Sequence, residues 1–218
     1  MNSLRIITLV LLQFCFFYSF SQTSLNLNSV FTVVIDAGHG GKDPGNTGNG
    51  FIEKNIALKI SLSLGNILEQ KGINVIYTRK KDVFVDLFER ANIANRSDAQ
   101  LFISIHCDSH TSQAFGAGTF VLGLHANQRN FEIAKKENSV IFFEDNYEST
   151  YEGFDPNNPE SVIGLTLMQE EYLDQSIIAA SYIQNSFVKR LKRKNRNVKQ
   201  AGFIAVSYTH LTLPTKRI

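Results

Sequence analysis

Three side chains in this sequence have the types and placement to do chemistry together: His39, Glu53 and His106. His39 lies in a glycine-rich run, Ala37-Gly38-His39-Gly40-Gly41-Lys42-Asp43-Pro44-Gly45, directly after the apolar stretch Val30 to Asp36. His106 closes a second apolar stretch that begins at Leu101. Glu53 opens a segment with helical patterning. Two imidazoles and a carboxylate are the donor set of a catalytic zinc centre, which uses three protein ligands and keeps one position open for water. Zinc brings the pKa of that water to about 7 and polarises carbonyl groups. Each residue also has a plainer role. A histidine in a glycine turn serves as a turn residue, one that ends a buried strand as a core histidine, and an acid at a helix start complements the helix dipole. The separations are too long to decide by themselves, so the elements that carry these residues must.

Those elements alternate. Val30 to Asp36 reads as a buried strand, because a continuous apolar run that enters a glycine turn suits a parallel sheet. Ile52 to Lys71 carries Ile56, Ile60, Leu64, Ile67 and Leu68 at helical spacing, with Gly72 as a stop. Ile73 to Thr78 is a second strand, Asp86 to Asn95 a second helix, Leu101 to His106 a third strand and Thr119 to Leu124 a fourth. The expectation is a single α/β domain with a mostly parallel twisted sheet flanked by helices. Ligands of such sheets bind beyond the carboxyl ends of the strands. His39 and His106 both lie there, and Glu53 begins the helix that leaves the same rim.

The rest of the chain sets boundaries. A net charge of +2 provides no field to draw nucleic acid. Two cysteines make no disulfide framework. Residues 1–21 pair a short basic start with an apolar run over residues 6–20, the pattern of a secretory signal. That run is too short for a comfortable membrane span. Its removal leaves Cys107 alone, with no internal disulfide. Residues 22–29 form a linker and 30–206 the main domain. Residues 125–165 interrupt the rhythm as an inserted loop or lid, with six acids and no Lys or Arg between Glu144 and Glu160. A long helix follows from Leu165 to Lys192. Leu167, Tyr172, Ile177, Ile178, Ala180, Ile183, Phe187 and Leu191 are available for its buried face, and a basic tract to Lys199 reads as its solvated end. A nucleotide-binding reading of the glycine run fails. Asp43 follows Gly41-Lys42 where a phosphate loop needs Ser or Thr, and Asp43 also replaces the third glycine of the dinucleotide fingerprint.

The run Val33 to Gly45 closely resembles the opening of the zinc-dependent N-acetylmuramoyl-L-alanine amidases of bacterial cell-wall turnover. Glu53-Lys54, Thr78-Arg79, Asp82, Leu87, Arg90 and Ala94-Asn95 keep that family's order, Leu101 to Asp108 is similar to its second histidine strand, and Val198 to Phe203 to a later landmark. The resemblance covers about residues 31 to 206. It implies that His39, Glu53 and His106 bind zinc. It also implies hydrolysis of the amide between N-acetylmuramic acid and L-alanine of peptidoglycan, in wall turnover and daughter-cell separation. Such a protein is exported to the periplasm or cell envelope. The insertion corresponds to a segment that covers the cleft in some relatives. An activator protein could act on it, and removal of residues 140–160 is expected to raise activity.

The ending departs from the family after Val206. The family has a further strand there, bearing a general-base glutamate. In this chain residues 207–218 contain no Asp or Glu and read as a tail foreign to the family, so the catalytic base is unassigned. A lost strand implies an unpaired sheet edge and low stability. The alternative is a catalytically impaired, metal-binding wall-associated or regulatory protein.

Overall fold

The computed structural model describes residues 30–108, 115–123, 128–145, 147–151 and 170–207. The expected signal sequence, the linker, residues 146 and 152–160 of the acidic segment and nearly all of the tail lie outside these residues. Among the described residues no helix is long and apolar enough to cross a membrane.

Strand β1 (Thr32–Ala37) is the centre of a parallel three-stranded sheet, with β4 (Asn74–Tyr77) on one side and β5 (Leu101–Ile105) on the other. All six β1 residues are buried. Both faces of this strand meet protein, which is why it reads as an unbroken apolar run rather than an alternating one. Helix α1 (Glu53–Glu69) and helix α2 (Leu87–Asn95) both pack on β1. Val34 clusters with Ala94 of α2 and Ala99, and Ile76, Ile93 and Phe102 close around them. Helix α1 turns a face of small residues inward, Ala57, Ser61 and Gly65, while Ile60 and Ile67 are exposed. A side chain at Gly65 would collide with the Tyr77 ring, so close approach selects the small residues there. A two-residue hairpin, β2 (Thr47–Gly48) with β3 (Phe51–Ile52), leads from the glycine loop into α1.

A second parallel pair joins β6 (Ala117–Leu122) to β7 (Asn195–Ala201). Among the described residues no strand bridges this pair and β5. The sequence reading missed β7. Its residues, Asn195 to Ala201, form part of a cationic tract read as a solvated helix end. Helix α5 (Glu170–Lys189) stops earlier, and the tract divides between its end, a turn and β7. The buried face of α5 also differs from expectation. Ala180 is buried, but Ile178 and Leu191 are more than half exposed. Gln184 takes the buried place. Its amide donates to the Ala117 carbonyl at 2.9 Å and Asn195 Oδ1 at 2.7 Å, and its oxygen accepts from Thr119 at 3.0 Å. This one amide fastens α5 to both strands.

The described part of the inserted segment is helical. It comprises α3 (Gln128–Asn138), a 3-10 turn (Ser139–Phe143) and α4 (Tyr147–Thr150). Val140, Ile141 and Tyr151 form a core cluster with Leu87 of α2 and Ile204 of the short α6 (Ile204–Ser207). Glu144, from the acidic run, is buried. It accepts from the Leu87 N–H at 2.7 Å and from the Tyr151 hydroxyl at 2.7 Å. Asp86 makes no side-chain cap for α2, so Glu144 supplies that cap from 57 residues away. Burial holds the Glu144 carboxyl above its ordinary range, against the pull of these two donors.

Val206, taken from the sequence as the last residue of the domain, sits inside α6. It is half-buried, and its N–H donates to the Phe203 carbonyl at 3.1 Å. The helical turn runs through Val206 rather than stopping at it. An aliphatic side chain carries no proton to transfer, so Val206 has no catalytic part and marks a position only. Beyond it only Ser207 is described.

A candidate metal centre at the sheet rim

The loop after β1 turns sharply, and His39 adopts a left-handed backbone with φ 60°. Two arginines brace that turn. Arg90, fully buried on α2, donates to Asp36 Oδ1 at 2.7 Å and to the carbonyls of Ala37 at 2.8 Å and His39 at 2.9 Å. Arg79 donates to the carbonyls of Ala37 at 2.9 Å and Gly38 at 2.7 Å. Three consecutive carbonyls at the end of β1 are thus held by fixed guanidinium forks. Asp36 also accepts from Thr78 and Ser104. Its burial favours the neutral acid, but Arg90 and these hydroxyls outweigh that and hold the carboxyl below its ordinary range.

His106 follows β5, the neighbour of β1. Parallel pairing carries on past the strands, with the Gly38 N–H donating to the Ile105 carbonyl at 3.1 Å. The two imidazoles therefore meet, with ring centroids 4.8 Å apart and planes at 76°. A Cβ at Gly38 would lie 2.5 Å from the His106 ring, and one at Gly45 2.5 Å from the His39 ring. These glycines leave the space that the rings occupy. Asp43, which the sequence reading used only to reject phosphate binding, accepts from His39 Nδ1 at 2.7 Å. That bond places the proton on Nδ1 and turns Nε2 inward, an arrangement typical of metal-binding histidines.

Glu53 points into the same space. Its Oε1 is 3.2 Å from His39 Nε2 and 3.3 Å from His106 Nδ1. It is buried and does not serve its own helix, since its oxygens take the N–H groups of Cys107 and Asn46. The three residues singled out from the sequence thus converge. A fourth joins them. Glu137, near the end of α3, brings Oε2 to 3.0 Å from His106 Nδ1 and 3.3 Å from His39 Nε2. That oxygen is buried, and its close polar neighbours are these two ring nitrogens, neither aligned for a hydrogen bond. Nothing in the sequence singled out Glu137, one acid in a polar stretch of the insertion.

The four donor atoms lie within 4.8 Å of one another. A tetrahedral ion with ligand distances of about 2.0–2.1 Å requires donor separations of about 3.3–3.4 Å. The five contacts that involve a ring nitrogen, 3.0–3.3 Å, fall close to that figure, and three donors, the two imidazoles with either carboxylate, match it. The electrostatics agree. Burial alone would lower the His39 pKa, but Asp43, Glu137 and Glu53 outweigh it and push it up to about 11. Desolvation opposes charge on His106 too, although this ring is partly open to solvent at the rim, and Glu137 and Glu53 push it up to about 9. Burial would raise both glutamates. The two imidazoles hold Glu53 well below the carboxylate range and Glu137 down at about 2. Two carboxylates facing two ring nitrogens make a pocket that demands positive charge, and these residues can hold a divalent metal ion.

The comparisons with known proteins cover most of the chain. The sequence profile of a family described as N-acetylmuramoyl-L-alanine amidase matches residues 33–213. That match continues past Val206, where the resemblance read from the residues ended, and takes in part of the tail. No Asp or Glu follows Val206, so the general base stays unassigned. The N-acetylmuramoyl-L-alanine amidase AmiA of Escherichia coli (strain K12) is 31% identical over 179 residues, which cover 80% of this chain and 60% of AmiA. The chain thus spans less than two thirds of that relative's length. The sporulation-specific N-acetylmuramoyl-L-alanine amidase of Bacillus subtilis (strain 168) is 32% identical over 174 residues, covering 78% of this chain and 68% of that protein. Among solved structures, N-acetylmuramoyl-L-alanine amidase AmiC2 of Nostoc punctiforme superposes with a TM-score of 0.55 at 25% identity, covering 83% of this chain and 74% of that one. The profile covers the parallel sheet, the glycine loop and all four converging residues, and on that extent this chain belongs to the N-acetylmuramoyl-L-alanine amidase family.

Proposed function

We propose that this chain hydrolyses the amide between N-acetylmuramic acid and the L-alanine of peptidoglycan stem peptides, with zinc held by His39, Glu53 and His106. The observation that carries this reading is the convergence of His39, Glu53, His106 and Glu137, with donor atoms within 4.8 Å of one another, on the ligand-facing rim of the sheet. An ion there would supply Lewis acidity toward the amide carbonyl and toward water. The protein's own part is preorganisation. Asp43 holds the His39 ring in one tautomer, the cross-strand pairing aims His106, and Arg79 and Arg90 keep the loop from relaxing. The family resemblance adds an exported protein of the periplasm or envelope that acts in wall turnover and cell separation.

Glu137 defines a gate. A catalytic centre needs an open position, and four protein ligands describe a closed one. In this reading α3 is a lid whose carboxylate occupies the place of water and substrate, and an activator protein would work by lifting it. The lid is fastened by Asn130 to the Gln200 carbonyl and by Asn138 to the Gly202 carbonyl and the Ile204 N–H. Removal of residues 140–160 is therefore a poor test, because it would strip Val140, Ile141 and Tyr151 from the core and Glu144 from α2. Glu137→Ala is the clean one. It is expected to raise peptidoglycan hydrolysis about tenfold or more, as the competent fraction rises.

The closed four-donor set also favours a second reading, a metal-binding protein without turnover. One experiment separates them. Purified peptidoglycan is incubated with the chain and with Glu137→Ala, and new L-alanine amino termini are counted by mass spectrometry. Hydrolysis is expected, lost on chelation and restored by zinc. Uptake of zinc by Glu137→Ala with no released peptide would sink the amidase reading and leave the second.

A further inference from the structure

We infer that Asn46 is a positioning residue that sets the Glu53 carboxylate and links it to the lid helix. This inference rests on the metal-binding reading above and concerns a residue that reading does not use. Asn46 lies in the loop between the glycine run and α1. Its Nδ2 donates to Glu53 Oε2 at 2.6 Å and to the Cys107 carbonyl at 2.7 Å. Its backbone N–H donates to the same Glu53 oxygen at 2.9 Å, and its backbone carbonyl accepts from the Glu53 N–H at 2.9 Å. Its Oδ1 accepts from Lys136 Nζ, on the lid helix.

The carboxamide has two donors and one acceptor oxygen, and each finds a partner. Reversing it would set its oxygen against the Glu53 carboxylate and the Cys107 carbonyl, and its NH₂ against an ammonium. Only one orientation is electrostatically allowed. In that orientation Glu53 Oε2 is saturated by two N–H groups. Oε1, which takes the Cys107 N–H at 2.6 Å, is left facing both imidazoles. Asn46 thus decides which carboxylate oxygen is presented. Lys136 is the residue next to Glu137, so the contact that polarises the Asn46 amide exists only while α3 is seated. The lid touches the centre twice, once directly through Glu137 and once through Lys136, Asn46 and Glu53.

The probe is Co²⁺ binding to the full chain, read by titration and by its visible absorption bands, with metal-free thermal unfolding followed alongside. Loss of a partner that orients a metal ligand lowers affinity by about 10- to 100-fold. Asn46→Ala is expected to show that loss together with altered bands. Lys136→Met should shift the bands in the same direction with a smaller affinity change. The double variant should match Asn46→Ala, because Lys136 acts through Asn46. If Asn46→Ala does not fold, Asn46→Ser, which keeps a shorter donor, should fall between it and the parent. Unchanged affinity and bands in the Asn46 variant, or effects of the two substitutions that simply add, would overturn the inference. A parent chain that takes up no Co²⁺ has a different signature, and defeats the metal reading together with this inference.

Discussion

His39→Ala is expected to abolish metal uptake and to reduce peptidoglycan hydrolysis at least about 1,000-fold, beyond the roughly 100- to 1,000-fold lost when a single oxyanion-stabilising donor is removed. The reason lies in how much converges on this ring. His39 Nε2 is within 3.3 Å of Glu53, Glu137 and His106, and Nδ1 is bound to Asp43. Alanine removes one of three proposed open-form ligands. It also leaves the buried Asp43 carboxylate without its imidazole partner, though the Gly45 N–H at 3.0 Å remains. Metal content measured on the purified variant, together with peptide release from peptidoglycan, checks the outcome. Near-parental zinc content with full stoichiometry would show that His39 is a turn residue after all. Activity lost while metal is retained would move His39 from ligand to orienting group.

Arg90→Met is expected to lower folding stability by about 3–5 kcal/mol at neutral pH, because removal of one partner strands a buried charge. Methionine keeps much of the arginine's volume, so the loss reports the charge and its hydrogen bonds rather than a cavity. Asp36 would keep Thr78 and Ser104 as donors but lose the guanidinium at 2.7 Å. The carbonyls of Val85 and His39 would lose their bonds to this side chain as well. The pH dependence follows in sign. In the parent, Asp36 is held below its ordinary pKa, so its contribution is present above the unfolded value and is lost as pH falls through the folded one. In the variant, burial is opposed by less, and the carboxyl titrates higher in the folded chain than in the parent. The penalty is then largest at neutral pH and shrinks as acid protonates Asp36. Urea unfolding of both chains at pH 7 and pH 4 measures this. A penalty equal at the two pH values would show that Asp36 is not the group left stranded.

The particular residues explain what was legible before the fold was known. Val33, Val34 and Ile35 are buried on both faces, so their pattern is a local consequence of their place in the sheet. The glycine run could be read because a histidine at positive φ, with rings packed against Gly38 and Gly45, tolerates few other sequences. Parallel pairing of β1 with β5 places their ends side by side, and for that reason His39 and His106 could be matched across 67 residues. By contrast, β7 is mostly polar and cationic, with Val198 and Ala201 its apolar residues, and it pairs with β6 alone among the described strands. Such a strand has no apolar periodicity to display. The inward face of α1 is made of Ala57, Ser61 and Gly65, which a search for large apolar residues overlooks.

From its own residues the chain determined the alternation of strands and helices and two rim histidines with a glutamate beside them. These are short-range matters of burial pattern and backbone conformation, and they are written locally. Only the tertiary structure decided that Glu137 meets the two imidazoles, that Asp43 binds His39 Nδ1, that Asn46 grips Glu53, and that Glu144 caps a helix 57 residues away. Those roles depend on where one segment's polar atoms meet another's unpaired groups. A single glutamate or asparagine carries no local mark of the partner it will find, because that partner is chosen by the packing of the whole domain.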